Sequence, residues 1–135
     1  MKAQDILNKA GLKCTSQRIQ IIEILKESCL PVTAEEIFKN TSRISLSTVY
    51  RALDLFCEKG ITEKESIFNS SELYYRLKTN MHCHYAICLG CHKISRISEC
   101  PVHEIHNIDG FTVTGHKLEI YGYCPECAKK QIITN

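Results

Sequence analysis

The chain lacks any apolar run approaching the ~20 residues that a membrane-spanning helix requires, so no membrane partner is expected. Its first residues, MKAQDILNKAGLK, contain neither a long apolar core nor a cleavage site, so no signal peptide is expected and a cytoplasmic address is. Excess charge of one sign is missing too. Lys and Arg number 17 against 15 Asp and Glu, a net charge of +2, which by itself neither demands nor excludes a nucleic-acid partner. There is no internal repeat and no low-complexity segment. No Ser-His-Asp set, paired-carboxylate arrangement or phosphate-binding loop presents itself, so the chain does not read as an enzyme. At 135 residues it has room for one domain or two very small ones.

What it has in abundance is cysteine, nine residues, with six histidines beside them. Without a secretion signal such a count points to metal or thiol chemistry rather than to a disulfide framework. The distribution is uneven. Residues 1–78 hold Cys14, Cys29 and Cys57 and no histidine; residues 79–135 hold the other cysteines and every histidine. The shift falls at the polar stretch Lys78-Thr79-Asn80, which predicts a hinge between two domains, 1–78 and 79–135. Each is small for a self-sufficient core, so the second needs help from metal or from a partner.

The first domain reads as helices followed by a hairpin. Ala3 to Lys9 is a short helix ended near Gly11. A second starts at Thr15 or Ser16, with Ile19, Ile22, Ile24 and Leu25 as its apolar face. Thr33-Ala34-Glu35-Glu36 is a capping-box pattern opening a third helix that buries Ile37 and Phe38. A fourth starts at Ser45 or Ser47 and stops at Gly60, with Val49, Leu53 and Phe56 facing the core. Ile61 to Ile67 and Leu73 to Leu77 read as strands around an Asn69-Ser70-Ser71 turn. Together these make a winged helix-turn-helix plausible. Helix four would then be the helix that enters the major groove. Ser47 and Thr48 sit at its N-terminus, where backbone N–H groups favour a phosphate. Arg51 can reach a phosphate or a guanine edge, and Tyr50 a phosphate or a thymine methyl. Lys13 and Arg18 could clamp the DNA backbone. The competing reading is a solvated surface on a small helical domain.

Cys88-Leu89-Gly90-Cys91 and Cys124-Pro125-Glu126-Cys127 are two C-x-x-C pairs in one small domain. Each turn aims two thiolates at one point, and two turns make the tetrahedral sulfur set of structural zinc. Four thiolates close the coordination shell, so Cys88, Cys91, Cys124 and Cys127 should hold the fold rather than catalyse. Cys14, Cys29 and Cys57 read as small buried hydrophobes. Cys83 and Cys100 lie near the metal region and are weaker candidates for ligands. Among the histidines, His82 and His84 share one face of a strand by alternation. His103 and His106 share a face of a short helix starting near Pro101. His116 lies in a strand-like run, Phe111 to Tyr123. Histidines gathering beside a zinc site point to a second metal, and imidazole suits zinc, nickel, copper or iron(II).

The chain resembles the ferric uptake regulator (Fur) family. The residues that carry the resemblance are Gly11-Leu12-Lys13-x-Thr15-x-Gln17-Arg18, Thr33-Ala34-Glu35-Glu36-Ile37 and Ser47-Thr48-Val49-Tyr50-Arg51-Ala52-Leu53. They continue with His82-x-His84, both C-x-x-C pairs, and His116-x-Leu118-Glu119-Ile120-Tyr121-Gly122. The resemblance implies an α+β protein: an N-terminal winged helix that binds palindromic double-stranded operator DNA, joined to a small C-terminal α/β dimerisation domain. It implies a homodimer that closes onto DNA when a regulatory metal binds near the hinge. The family's usual hinge-side site is not matched, because its ligand positions read Pro31, Arg76, Arg96, Cys83 and Tyr85. The positions of its other site read His82, His84, His103 and His116, which the resemblance makes the regulatory set; Glu99, Glu104 or His106 could replace His103.

An imidazole site without carboxylate favours zinc over iron as the regulatory ion. The expectation is a zinc-responsive repressor, with an iron-responsive repressor second. From another class, a thiol-based redox sensor or zinc-buffering protein would share the cysteines and lack sequence-specific DNA binding.

Overall fold

The computed structural model describes residues 1–28, 30–67, 71–78, 84–97 and 108–134, the last four of these by backbone only. The chain is of mixed α+β class and separates into two compact units, Met1–Asn80 and Met81–Asn135. Among the described residues no helix is long and apolar enough to cross a membrane.

The first unit holds α1 (Ala3–Lys9), α2 (Ser16–Glu27), α3 (Ala34–Lys39) and α4 (Leu46–Glu58), then β1 (Thr62–Ser66) and β2 (Leu73–Leu77). Side-chain oxygens start three of the helices. Thr15 accepts from the Arg18 amide and Ser45 from the Thr48 amide, while Thr33 and Glu36 form a reciprocal capping box. The end of α4 is set by Gly60, at φ +75°. The Gly60 amide donates to the Cys57 carbonyl and the Ile61 amide to that of Phe56, which closes the last turn and aims the chain into β1. β1 and β2 pair antiparallel from Thr62↔Leu77 to Ser66↔Leu73. Val32 and Tyr75 exchange backbone hydrogen bonds of 2.9 and 2.7 Å, tying the segment before α3 to the middle of β2.

The core is made of Leu7, Ile21, Ile22, Leu25, Ile37, Val49, Leu53 and Phe56, with Tyr75 of the hairpin closing it. Two sequence expectations need correction. Ile21, not Ile19 or Ile24, joins Ile22 and Leu25 in the buried face of α2; Ile19 and Ile24 are only partly covered. Phe38 was expected inside but is 39% exposed, because α3 is a single short element whose inward side is already filled by Ala34 and Ile37. The turn residues Asn69 and Ser70 lie outside the described residues.

The second unit holds β3 (His84–Cys88), β4 (Ile94–Ile97), β5 (Glu119–Gly122) and α5 (Pro125–Thr134). The sheet order is β4-β3-β5. β4 runs antiparallel to β3, and β5 runs parallel to it, from Tyr85↔Glu119 to Cys88↔Gly122. The central strand is the buried one: His84, Tyr85, Ile87 and Cys88 are all covered. The strand-like run Phe111 to Tyr123 becomes strand only over Glu119–Gly122, where β3 supplies a partner. Residues 111–118, His116 among them, take no regular secondary structure. The expected short helix near Pro101 lies outside the described residues.

Phe56 and Leu53 are fully buried, so truncation there leaves a cavity. A Phe56→Ala variant should lose about 3–5 kcal/mol of stability, read as a shift of the urea midpoint of the helical signal. A loss under about 1 kcal/mol would show that α4 is not the centre of this core.

Candidate metal centre and nucleic-acid surface

The parallel pairing of β3 and β5 assembles the thiol cluster. Cys88 ends β3 opposite Gly122, two residues before Cys124, so one ladder places both C-x-x-C turns side by side. The Leu89 amide donates to the Gly122 carbonyl at 2.7 Å and fixes the first turn against the second strand. Cys124 stands just before α5, and Pro125 opens that helix, where its missing N–H costs nothing. Cys127 follows in the first helical turn.

The Sγ atoms of Cys88, Cys91, Cys124 and Cys127 all lie within 4.8 Å of one another, and those of Cys91 and Cys124 are 3.8 Å apart. Two sulfurs bound to one tetrahedral zinc stand about 3.8 Å apart, given Zn–S of about 2.3 Å. The cluster therefore fits a structural zinc site. No other group of three or more potential ligands occurs among the described residues. Gly90 is required by space. A Cβ there would lie 2.8 Å from Cys127 Sγ and 3.0 Å from its Cβ.

The cluster is electrostatically uneven. Cys88 Sγ accepts from the backbone amides of Cys124 at 3.3 Å and Cys91 at 3.4 Å, and these donors hold its thiol down to about 5. Cys127 has the opposite surroundings. Hydrogen bonding to the Cys88 sulfur, then to Cys124, pushes it up to about 12. Near neutral pH the metal-free cluster thus carries thiolate at one end and keeps its proton at the other.

Of the four histidines expected to form a second site, the structure describes two, and it brings them together. His84 Nε2 and His116 Nε2 are 2.9 Å apart, with ring centroids at 4.8 Å. His84 is 4% exposed at the start of β3; His116 lies at the surface. His82 and His103, with Cys83, Glu99, Cys100, Glu104 and His106, lie outside the described residues. Two nitrogens on one tetrahedral zinc stand about 3.3 Å apart, so the pair is within about half an ångström of that spacing.

The hinge-side ligand positions hold other chemistry. Arg76 on β2 ion-pairs with Glu63 of β1 at 2.6 Å and approaches Glu65 at 3.7 Å. Tyr85 is buried on β3 and Arg96 is exposed on β4. Cys14 and Cys57 are half-buried, and their sulfurs contact Asn8 Oδ1 at 3.3 Å and Thr62 Oγ1 at 3.1 Å. Cys29 is outside the described residues.

The polar residues expected at DNA cluster on the first half of α4 and the start of α2. Ser45 Oγ and Thr48 Oγ1 are 2.8 Å apart, and Arg51 Nη2 donates to Thr48 Oγ1 at 3.2 Å, so Thr48 orients the guanidinium. Ser47 and Arg51 are exposed. Arg18 Nη1 donates to the Lys13 carbonyl at 3.0 Å, which ties the α2 start to the exposed Lys13. Sequence reasoning missed Glu35. Tyr50 donates its hydroxyl proton to Glu35 Oε1 at 2.7 Å; the bond lowers the Glu35 carboxyl and raises the Tyr50 phenol. A tyrosine so engaged has no proton left for a phosphate, and its ring is what it can offer. Only the spacing between α3 and α4 could have revealed that pair.

A helical unit with an antiparallel hairpin, followed by a small sheet built around four thiols, defines a two-unit α+β protein with a metal-fitting cluster. The chain belongs to the ferric uptake regulator family, whose model, described as "Ferric uptake regulator family", matches residues 9–121. It is 35% identical to the peroxide operon regulator of Bacillus subtilis over 138 residues, covering 96% of this chain and 94% of that one. It is 35% identical to the ferric uptake regulation protein of Escherichia coli K12 over 129 residues, covering 89% and 86%. The Vibrio cholerae ferric uptake regulator, whose crystal structure reveals rearrangement of its DNA-binding domains, superposes with a TM-score of 0.76 at 31% identity over 90% of this chain and 98% of that one. A zinc-bound manganese uptake regulator superposes at 0.75 with 26% identity over 92% and 99%.

Zinc has to displace the proton that the Cys127 end retains near neutral pH, so affinity should rise with pH and fall on acidification. Calorimetry in two buffers of different ionisation enthalpy should register at least one proton released per zinc; none released would contradict the thiol assignment. Separately, Gly90→Ala should weaken zinc retention against a competing chelator by tenfold or more. A variant that holds zinc like the parent would show that the first turn has room to spare.

Proposed function

We propose that the chain is a metal-responsive transcriptional repressor that binds palindromic operator DNA as a homodimer and senses zinc. Residues 1–78 act as the winged-helix DNA-binding domain and 79–135 as the dimerisation and metal-binding domain. The observation that carries the sensing role is the His84–His116 pair, two imidazole nitrogens 2.9 Å apart at the opposite end of the β3–β5 ladder from the thiols. In this reading His82 and His103 complete the regulatory set, and Cys88, Cys91, Cys124 and Cys127 hold structural zinc.

At the DNA surface, the N-terminus of α4 offers free amides and the Ser47 and Thr48 hydroxyls to a phosphate, while Arg51 reaches a phosphate or guanine. Tyr50, its hydroxyl held by Glu35, presents its ring to a thymine methyl. Lys13 and Arg18 contact backbone, so affinity falls steeply with salt. Regulation is a population shift. Metal stabilises the arrangement of the two DNA-binding domains that fits the operator, and full switching requires a differential of about 5 kcal/mol.

A second reading, iron sensing, draws support from the ferric uptake regulation proteins among the 35% identical relatives. The zinc reading is preferred because the described donors at the sensing site are imidazoles and because Arg76 and Arg96 stand where the family places carboxylates. Peroxide response, which relies on those carboxylates, is disfavoured for the same reason.

The test is fluorescence anisotropy on the chain's own upstream DNA, with zinc and iron(II) titrated separately. Zinc should tighten binding at least tenfold in the parent. His84→Ala and His116→Ala should abolish that gain while the thiol zinc stays bound. Unchanged zinc dependence in both variants removes the sensing assignment. Absence of sequence-specific binding in every state would favour the redox or zinc-buffering alternative.

A further inference from the structure

A cleft of about 530 Å³ opens on the first unit between α1, the end of α4 and the hairpin. Its apolar lining comes from Ile6, Ile61 and Leu77, and three lysines, Lys9, Lys59 and Lys78, stand around it. Among the described residues no carboxylate and no aromatic ring lines it. Among the described residues none of the three ammonium groups takes part in an ion pair.

The backbone explains why all three line the cleft. Lys9 lies in the last turn of α1, and Lys59 is the C-cap of α4. The Lys78 amide donates to the Ile61 carbonyl at 2.9 Å, extending the hairpin ladder by one pair and bringing Lys78 beside the cleft floor. Lysine near a helix C-terminus is favourable for the helix alone, and this accounts for Lys9 and Lys59 one at a time. It does not account for a third lysine just past the end of β2, nor for the apolar floor that all three share.

We propose that this cleft binds a small monocarboxylate with an aliphatic body, the carboxylate among the three ammonium groups and the chain on Ile6, Ile61 and Leu77. The size lies in the range of about 300–1,000 Å³ usual for small-molecule sites. Two other anions fit the lining poorly. Phosphate-rich ligands are usually met by arginine forks or cradling backbone amides and would leave the apolar floor unused. Single-stranded nucleic acid needs rings on which to stack, and none lines the cleft among the described residues. The site is independent of the metal reading. It lies at the opposite end of α4 from Ser45 and Ser47, some 20 Å away at about 1.5 Å per residue, so a ligand here leaves the proposed DNA contacts open.

Decanoate, kept below its micellar range, is the probe. Calorimetry on the zinc-loaded full chain should show saturable binding of one decanoate per chain, with decanol and acetate each at least tenfold weaker. Lys9→Gln/Lys59→Gln, both exposed and away from the core, should lower decanoate affinity tenfold or more with an unchanged circular dichroism spectrum. Methyl resonances of Ile6, Ile61 and Leu77 should shift on addition, which keeps the test valid if the double variant is unstable. Equal binding of decanol would reduce the cleft to an apolar groove, and equal binding of acetate to a charged patch. No saturable binding, as when the cleft is covered by another part of the chain or a second copy, also overturns the proposal.

Discussion

Between Tyr85↔Glu119 and Cys88↔Gly122 the strands β3 and β5 run side by side in one direction, although the whole of β4 and the segment after it lie between them in sequence. Parallel neighbours share their ends. At the C-terminal end of this ladder the two C-x-x-C turns meet; at the N-terminal end His84 meets His116. An antiparallel pairing would have put Cys88 next to the start of β5 and left each cluster with half its members. Such a short ladder is weak alone, and parallel pairs are slightly less stable than antiparallel ones. A tetrahedral ion at one end closes a long loop and offsets that weakness. An ion held by the four thiols would thus help to keep the histidine end in register.

The same dependence appears in the proton distribution. Cys88 receives backbone donors from both knuckles, so the fold prepares one thiolate before any ion arrives. Cys127 sits against the sulfur so formed and keeps its proton. The metal-free cluster is therefore held by hydrogen bonds among sulfurs and amides, and four thiolates are tolerated together only when a cation replaces those protons. The first unit works differently. Its core is apolar and built within the four helices and the hairpin, and three of its polar pairs are local: Arg51 with Thr48, Tyr50 with Glu35, Arg76 with Glu63.

Much of this was legible from residue spacing. The helix start at Thr33, and those at Thr15 or Ser16 and at Ser45 or Ser47 to within two residues, were visible because a capping hydroxyl is a local event, and the stop at Gly60 because a left-handed residue favours glycine. Leu53 and Phe56 followed from a period of 3.6. Phe38 misled because periodicity reports which face a residue is on and says nothing of how much core is left to receive it. The extent of β5 was overestimated for a related reason: alternation marks a chain able to form a strand, and only a neighbour, here β3 from Tyr85 onward, turns it into one. The four-thiol grouping was legible because two C-x-x-C turns have few other uses. The Tyr50–Glu35 bond and the Arg76 ion pairs were not, since they depend on how separate elements are placed.

Arg76 bears on what the regulator can sense. A guanidinium between Glu63 and Glu65 carries its own positive charge into the place where relatives are expected to supply a carboxylate to a metal. The hairpin already has its cross-strand link without any ion. A guanidinium offers no lone pair, so Arg76 cannot ligate a metal. In the proposed switch the signal then enters at His84 and His116, two imidazoles that the structure brings together. His84 opens the strand that Cys88 ends, four residues and about 13 Å further along. In that reading a structural ion at the thiol end would set the position of that strand, and a regulatory ion at the histidine end would act on a donor already held in place. The ordering cost of the proposed sensing site would be met at its far end, leaving more of the binding energy for shifting the proposed DNA-binding domains.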